Sequence, residues 1–158
     1  MSKLIIIRGQ QNSGKTTTTG LVYSELLKIA EIRHRINGKD VESNSLEYNK
    51  DSGDLIDFSA VITINSKKIG IISAGDDPND LERKINNFIK KEIEIIICCA
   101  RSRNVKGSSY RMIIDKFSKN NKILKEVWVS HSPNRDEKET IKKQSVSEII
   151  KAVNEGIK

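Results

Sequence analysis

Residues 9–16 near the start of the chain combine glycine, lysine and threonine at a spacing that suits phosphate binding. They read GQQNSGKT and follow the apolar run 4–7, with Arg8 between. Glycines leave backbone N–H groups open to phosphate oxygens, a lysine adds a compact positive charge, and a threonine hydroxyl can bind Mg²⁺. A helix that starts after the loop adds unpaired N–H groups and the positive end of its dipole. The spacing therefore predicts a loop that holds the phosphates of a nucleotide.

The residues of this loop have separate expected roles. We expect Lys15 to face solvent until phosphate arrives and then to lie between the β- and γ-phosphates, as one of the catalytic groups. Thr16 is the expected Mg²⁺ ligand within the loop. The residues predicted to hold the nucleotide through this segment are Gly9, Gln10, Gln11, Asn12, Ser13, Gly14, Lys15 and Thr16.

The pattern G-x-x-x-x-G-K-[ST], with a strand-like run before it and a helical pattern after it, resembles the phosphate loop of the P-loop NTPase superfamily. The resemblance is specific over residues 4–20 and topological elsewhere, where the outline is similar to small nucleoside and nucleotide kinases. It implies a three-layer α/β/α P-loop NTPase fold, with ATP or another nucleoside triphosphate and Mg²⁺ as cofactors. It also implies that Thr17 bonds the α-phosphate, as the second threonine of G-K-T-T loops does.

Composition bounds the class of protein. The chain has 158 residues, enough for one domain over 1–158 with its own core, and a formal net charge of +7. Its basic residues are scattered among acidic ones and only 4% of residues are aromatic, which argues against nucleic-acid binding. The apolar run 4–7 is too short for a signal peptide or a membrane span, so we expect a cytoplasmic protein. Cys98 and Cys99 are adjacent on a predicted strand and are expected to be buried thiols on opposite faces.

Strand and helix patterns follow one another along the chain and predict an α/β fold, a mostly parallel sheet with one antiparallel hairpin strand. After the loop, Val22, Leu26 and Ile29 share one helical face, and Asn37-Gly38 is expected to end that helix. The polar segment 39–54 predicts a loop or short excursion. The expected elements are a first helix from about Gly14 to Arg35, hairpin strands at 55–64 and 68–74, a helix from Pro78, a strand at 93–100, a helix around 110–117, a strand at 124–130 and a closing helix from Ser145.

Ligands of parallel α/β sheets bind at the carboxyl ends of the strands, so the residues there are candidates for the site. Asp76 follows the second hairpin strand and is expected to hold Mg²⁺ and to be catalytic; alternatively, it is only the first residue of a turn. Asp77 before Pro78 has a structural explanation as a helix N-cap. Arg101 and Arg103 follow the third strand and are candidate catalytic groups that stabilise a transferred phosphate, or solvated loop residues.

The end of the last strand bears on the choice of nucleotide base. His131 follows that strand and is the candidate contact to the base, with a structural or solvated histidine as the alternative. A guanine-specific member of the superfamily has N-K-x-D at this place, and this chain does not, which argues against guanine specificity.

The residues support phosphoryl chemistry, and two functions remain open. One is a kinase-like enzyme that passes the γ-phosphoryl group of ATP to a small-molecule acceptor. The other is an ATPase or nucleotide-dependent switch that acts on a protein partner. Faster ATP consumption when the acceptor is added distinguishes the first from the second.

Overall fold

Strands and helices fill most of the chain in the computed structural model, which describes residues 2–10, 14–101, 106–129 and 135–158, without the side chains of 135–138 and 141. The strands are β1 (Lys3–Gly9), β2 (His34–Ile36), β3 (Lys39–Val41), β4 (Ser59–Ile64), β5 (Lys67–Ile72), β6 (Ile95–Arg101) and β7 (Lys122–Trp128). The helices are α1 (Lys15–Leu27), α2 (Pro78–Lys90), α3 (Ser109–Phe117) and α4 (Arg135–Gly156).

The strands form one sheet in the order β3-β2-β4-β5-β6-β1-β7. The neighbours from β5 to β7 pair in parallel, whereas β4 pairs antiparallel with β5 and with β2, and β2 pairs antiparallel with β3. The expected α/β class is therefore confirmed. The antiparallel region is larger than the one hairpin strand that was predicted, because β2 and β3 extend it.

Helices cover the sheet on both faces and make three layers. Side chains of β1 alternate between the two cores: Ile5 and Ile7 pack with α1 and α4, whereas Leu4 and Ile6 pack with α2 and α3. Strands that are buried on both faces need apolar residues at every position, which explains the unbroken run in β6. None of the helices in the described part of the chain is long and apolar enough to cross a membrane.

The predicted end of the first helix at Arg35 is wrong, because α1 ends at Leu27. The Glu31 N–H donates to the Thr63 carbonyl, and residues 34–36 then pair with β4, so sheet pairing replaces the helix. Asn37 and Gly38 have φ of 49° and 79° and form the two-residue turn between β2 and β3 rather than a helix stop.

The start of the closing helix is also wrong, since α4 begins at Arg135, ten residues before the predicted Ser145. Residues 135–144 contain one apolar residue, Ile141, so the first part of this helix has no apolar face to recognise in the sequence. Ser145 is 5% exposed and lies inside the helix. Other elements agree with the predictions to within a few residues, including the β4–β5 hairpin, whose turn is Asn65-Ser66.

Candidate functional site

The candidate site lies where the parallel strands end. Gly9, the last residue of β1, is paired in register with Arg101, the last residue of β6. From β5 the chain continues through Ser73 to Asp76 on the same edge of the sheet. The topology therefore brings together the phosphate-loop sequence, the acidic residue after β5 and the arginine after β6.

The loop joins β1 directly to α1. Gly14 precedes the helix with φ of 94°, a left-handed conformation that favours glycine, and among the described residues no side chain caps the helix there. Its carbonyl accepts the first bond of the helix from Thr18. The uncapped N-terminus leaves N–H groups of the first turn available to an anion, as the sequence predicts for a phosphate loop.

Lys15 does not face solvent, so that expectation is wrong. Its side chain is 8% exposed, and Nζ donates to the carbonyl oxygens of Gly9 at 2.9 Å and Gln10 at 2.8 Å. Asp76 Oδ1 lies 3.8 Å from the same Nζ. Burial lowers the pKa of the Lys15 ammonium from its usual value, and the Asp76 carboxylate opposes that shift. In this structure the Lys15 ammonium is therefore hydrogen-bonded to carbonyl oxygens of its own loop.

Thr16 is held by a carboxylate that the sequence patterns did not single out. Thr16 Oγ1 donates to Asp57 Oδ1 at 3.0 Å, and the hydroxyl of Ser73 donates to the same oxygen at 3.1 Å. Ser73 is 2% exposed and also accepts the Phe58 N–H at 2.7 Å. A buried serine thus fixes the position of Asp57 beside the predicted magnesium ligand.

Asp76 lies between two cations, Lys15 and Arg101. Its Oδ1 is 3.8 Å from Lys15 Nζ and 3.7 Å from Arg101 Nε. Gly75 makes this placement feasible, because a Cβ there would lie 1.8 Å from the Cys99 carbonyl oxygen. The segment that follows β5 can approach β6 this closely only because Gly75 has no side chain.

Asp77 has the structural role that the sequence predicts. Its side chain accepts the Asn79 N–H at 3.0 Å and caps α2, and Pro78 is the first helical residue. The neighbouring Asp76 makes no such cap contact. The two adjacent aspartates thus have different positions: Asp77 caps α2, whereas Asp76 faces Lys15 of the loop.

A cleft of about 700 Å³ opens beside the loop. Its phosphate-loop side is formed by residues 14–17, and Thr17 is exposed there. Lys142 of α4 also lines it, and a Cβ on Gly14 would lie 3.7 Å from Lys142 Cε. The carboxylates that line the cleft are Asp54, Asp57, Asp76, Asp77 and Asp80.

Cys99 lies under the loop, and its chemistry is suppressed. Its Sγ is 2.9 Å from Thr19 Oγ1, and burial raises the pKa of the thiol to about 12. Cys98 faces the opposite core, and burial raises the pKa of its thiol as well. The expectation of two buried thiols on opposite faces is confirmed.

The structure brings Gly9, Gly14, Lys15, Thr16 and Asp76 together, with Arg101 next to Asp76. Gln10 is exposed and contributes its carbonyl to Lys15. The candidates Gln11, Asn12, Ser13, Arg103 and His131 lie outside the described residues.

Sequence reasoning missed Asp57 and Lys142. Asp57 stands between Ile56 and Phe58, and its segment was interpreted as a strand, so its acidic side chain gave no separate signal. Lys142 lies in a polar stretch that was not predicted to be helical. A search for carboxylates near the start of each strand would have found the first.

The oxygens near Thr16 suit a hard cation. The Thr16 hydroxyl with the Asp57 carboxylate beside it, and the Asp76 carboxylate in the same cleft, are ligand types that Mg²⁺ takes together with water and phosphate oxygens. Within the described residues, no group of three or more His, Cys, Asp or Glu side chains is arranged to hold a metal ion without such help. No protein-family model, curated protein or solved structure matches this chain.

Proposed function

We propose that this chain binds ATP with Mg²⁺ through residues 9–17 and transfers the γ-phosphoryl group to a small acceptor. One observation carries the proposal: the Lys15 ammonium, the Thr16 hydroxyl and the Asp57 and Asp76 carboxylates line one cleft at the ends of parallel strands. Cation, hydroxyl and carboxylate are the groups that phosphoryl transfer needs, because its catalysis consists of positioning and charge stabilisation.

Binding exchanges the partners of Lys15. The Nζ hydrogen bonds to the Gly9 and Gln10 carbonyls are replaced by bonds to phosphate oxygens, which carry full negative charge. The uncapped N-terminus of α1 supplies backbone donors to the same phosphates. The buried lysine is therefore already next to the phosphates' position.

Thr16 and Asp57 would hold the metal ion, and the Asp76 carboxylate lines the same cleft next to Lys15. When bound, Mg²⁺ neutralises charge on the transferred group and polarises it. Thr16 Oγ1 could bind the ion through a lone pair while still donating its proton to Asp57, and Ser73 holds that carboxylate in place. Arg101 and Lys142 are further cations at the margin of the cleft.

The remainder of the cleft provides room for an acceptor. Asp54 and Asp80 line it beyond the Thr16 side, and a carboxylate that accepts a hydroxyl proton orients the nucleophile in kinases. The whole cleft, with its phosphate-loop side, has a volume of about 700 Å³. The two further carboxylates support transfer to a small acceptor over simple hydrolysis.

A second candidate function is a nucleotide-dependent switch, and the Asp57 hydrogen bond favours it. Asp57 joins Thr16 to the segment 43–58, where Tyr48 is 58% and Ile56 is 45% exposed. If Mg²⁺ at Thr16 draws the Asp57 carboxylate toward itself, the segment shifts relative to the loop and presents its apolar side chains differently to a protein partner.

Calorimetric titration with ATP and GTP, each with and without Mg²⁺, tests the proposal. We expect Mg-dependent ATP binding that falls about a hundredfold in Lys15→Ala, because a charge-assisted contact to phosphate is lost. Lys28→Ala is the matched control, since Lys28 is an exposed lysine at the other end of α1. Unchanged ATP binding in Lys15→Ala would refute the site.

The role of the carboxylates has its own test. Asp57→Asn and Asp76→Asn should each reduce the Mg²⁺ dependence of ATP binding about tenfold, because asparagine is a weaker ligand for the cation. Asp77→Asn should leave it unchanged, since asparagine also caps helices. The opposite pattern would assign the metal to Asp77.

The effect of an acceptor on ATP consumption distinguishes the kinase function from the switch function. ATP consumption is measured alone and with a panel of small hydroxyl and amine compounds. A rate increase with one compound, and a phosphorylated product by mass spectrometry, supports transfer. ATP-dependent changes in proteolysis of the segment 43–58 without any such increase would support the switch.

A further inference from the structure

A second groove lies farther along α2 than the cleft and is independent of the proposed nucleotide function. The face of the sheet that carries α2 is covered over β5, β6 and β1 but is open over β4 and β2. Arg35 of β2 and Val61 of β4 are register partners and therefore lie on the same face. Arg35 is exposed and Val61 only half-buried, so a groove runs between the β2–β3 hairpin and α2.

Five cations line this basic groove and come from three elements. They are Arg35 of β2, Lys68 of β5, Arg83 and Lys84 of α2, and Lys91 directly after α2. Their positions are dispersed in sequence, which is why the sequence alone showed no basic cluster. No carboxylate is among the described residues that line the groove.

Two carboxylates outside the groove offset part of this charge. Asp80 pairs with Arg83 at 2.7 Å and with Lys84 at 2.9 Å. Asp40 lies 3.8 Å from Arg35. Lys68 and Lys91 are exposed and add two further charges, so the groove keeps an excess of positive charge.

The shape of the groove limits the occupant. Its volume is about 430 Å³, within the range of small-molecule sites, and Val61, Phe88 and Ile93 form an apolar floor. Phe88 is 8% exposed, so it offers no ring on which bases of a single strand could stack. A cavity of this size is also too small to admit a nucleic-acid duplex.

We propose that the basic groove binds a small molecule that carries two or more phosphate groups. Arg35 and Arg83 stand on opposite walls, where each can donate several N–H groups to phosphate oxygens, and the three lysines add point charges. Multiple phosphates match five cations better than a single carboxylate does. The apolar floor accommodates the uncharged body of such a molecule.

The test is an amide NMR titration of the ¹⁵N-labelled full chain with tripolyphosphate, in Lys15→Ala so that the nucleotide cleft is disabled. We expect saturable shifts at Gly38 and Asn87, which line the groove. The double variant Lys68→Ala/Lys91→Ala should bind about tenfold more weakly, because two phosphate contacts are lost.

Lys67→Ala/Lys90→Ala is the matched control. Its lysines are chain neighbours of the groove lysines, are equally exposed and do not line the groove. Affinity in this control should change less than about twofold, the size of a general charge effect. Equal losses in both double variants, or no saturable shift at Gly38 and Asn87, would overturn the proposal.

Two further ligands separate phosphate recognition from charge alone. Citrate at matched ionic strength should bind far more weakly than tripolyphosphate, and equal binding would refute a phosphate site. A duplex DNA that binds more tightly than tripolyphosphate, with dependence on Lys68 and Lys91, would replace the small molecule by nucleic acid.

Discussion

The sheet has two parts that differ in how they are buried. In the parallel part, β5-β6-β1-β7, helices cover both faces of β5, β6 and β1, and β6 is apolar at six successive positions. In the antiparallel extension, β4-β2-β3, buried and half-buried residues alternate along β4, and one face is open. Each part of the sheet therefore offers a different kind of surface to ligands.

The proposed nucleotide site of the parallel part lies at its strand ends, whereas the proposed site of the extension lies on a strand face. The cleft with Lys15 and Asp76 lies at the carboxyl edge, where converging N–H groups and side chains are expected. The basic groove exists because the extension carries no helix on that face. Helix α2 borders both, with Asp80 at the cleft and Arg83 in the groove.

The largest difference should appear in stability. Ile97→Ala in β6 removes a fully buried side chain and should cost about 4 kcal/mol of unfolding free energy. Val61→Ala in β4 removes a half-buried side chain and should cost about 1 kcal/mol. Urea unfolding of both variants measures the two costs, and equal losses would contradict the difference between the two parts.

A smaller effect is expected where β5 approaches β6. Gly75→Ala would place a Cβ 1.8 Å from the Cys99 carbonyl oxygen, so backbone must move, at a cost of about 2 kcal/mol. Asp76 would move with it, and ATP affinity should fall. Gly20→Ala is the control, because its Cβ meets the flexible end of Leu55 and alanine favours the helix. Equal destabilisation of both variants would show that the close approach is not the cause.

The parallel part was predictable because its physical signals are local. Runs such as 95–100 have no polar interruption, and the Asp77-Pro78 start of α2 uses a cap and a proline at adjacent positions. Gly9, Gly14, Lys15 and Thr16 were identifiable for the same reason, since their spacing is fixed by the loop itself. Such signals do not depend on residues far along the chain.

The extension was not predictable, because its strands depend on distant partners. Residues 34–36 continue a helical pattern in the sequence and become β2 only by pairing with β4, more than twenty residues later. The role of Asp57 depends in the same way on Thr16 and Ser73, and the basic groove on residues from 35 to 91. Contacts between residues this far apart in the sequence produce no motif with a fixed spacing that could be recognised.

The attachment of the extension to α1 can be tested through Tyr23. Its hydroxyl is hydrogen-bonded to the buried His34 of β2 and accepts the Ser45 N–H. Tyr23→Phe should cost about 1–2 kcal/mol, because the His34 ring nitrogen is left without its partner. Hydrogen exchange should quicken at residues 34–41 and stay slow in β6. Tyr48→Phe, at an exposed tyrosine, should change neither, and acceleration in β6 would argue that the two parts unfold together.

The smallest effect concerns Asp80 on the helix shared by the two parts. Hydrogen bonds from Lys84 and then Arg83 lower the pKa of this carboxyl below its usual 3.8. A lowered folded-state pKa contributes stability above the unfolded value, and that contribution is lost as the pH falls through the folded value. Because the side chain is 35% exposed and solvent screens it, Asp80→Asn should lower stability at pH 7 by only about 0.5 kcal/mol. The loss should vanish in urea unfolding below the folded pKa, and a loss that persists there would contradict this electrostatic cause.

The same substitution should act in the opposite direction on the basic groove. Without the Asp80 carboxylate, Arg83 and Lys84 are no longer engaged at 2.7 and 2.9 Å and can turn fully to a ligand. Tripolyphosphate should therefore bind Asp80→Asn about twofold more tightly, because one nearby negative charge is removed. Weaker binding would mean that Asp80 positions these two cations for the ligand rather than competing for them, and the stability and binding effects of α2 would then share one cause.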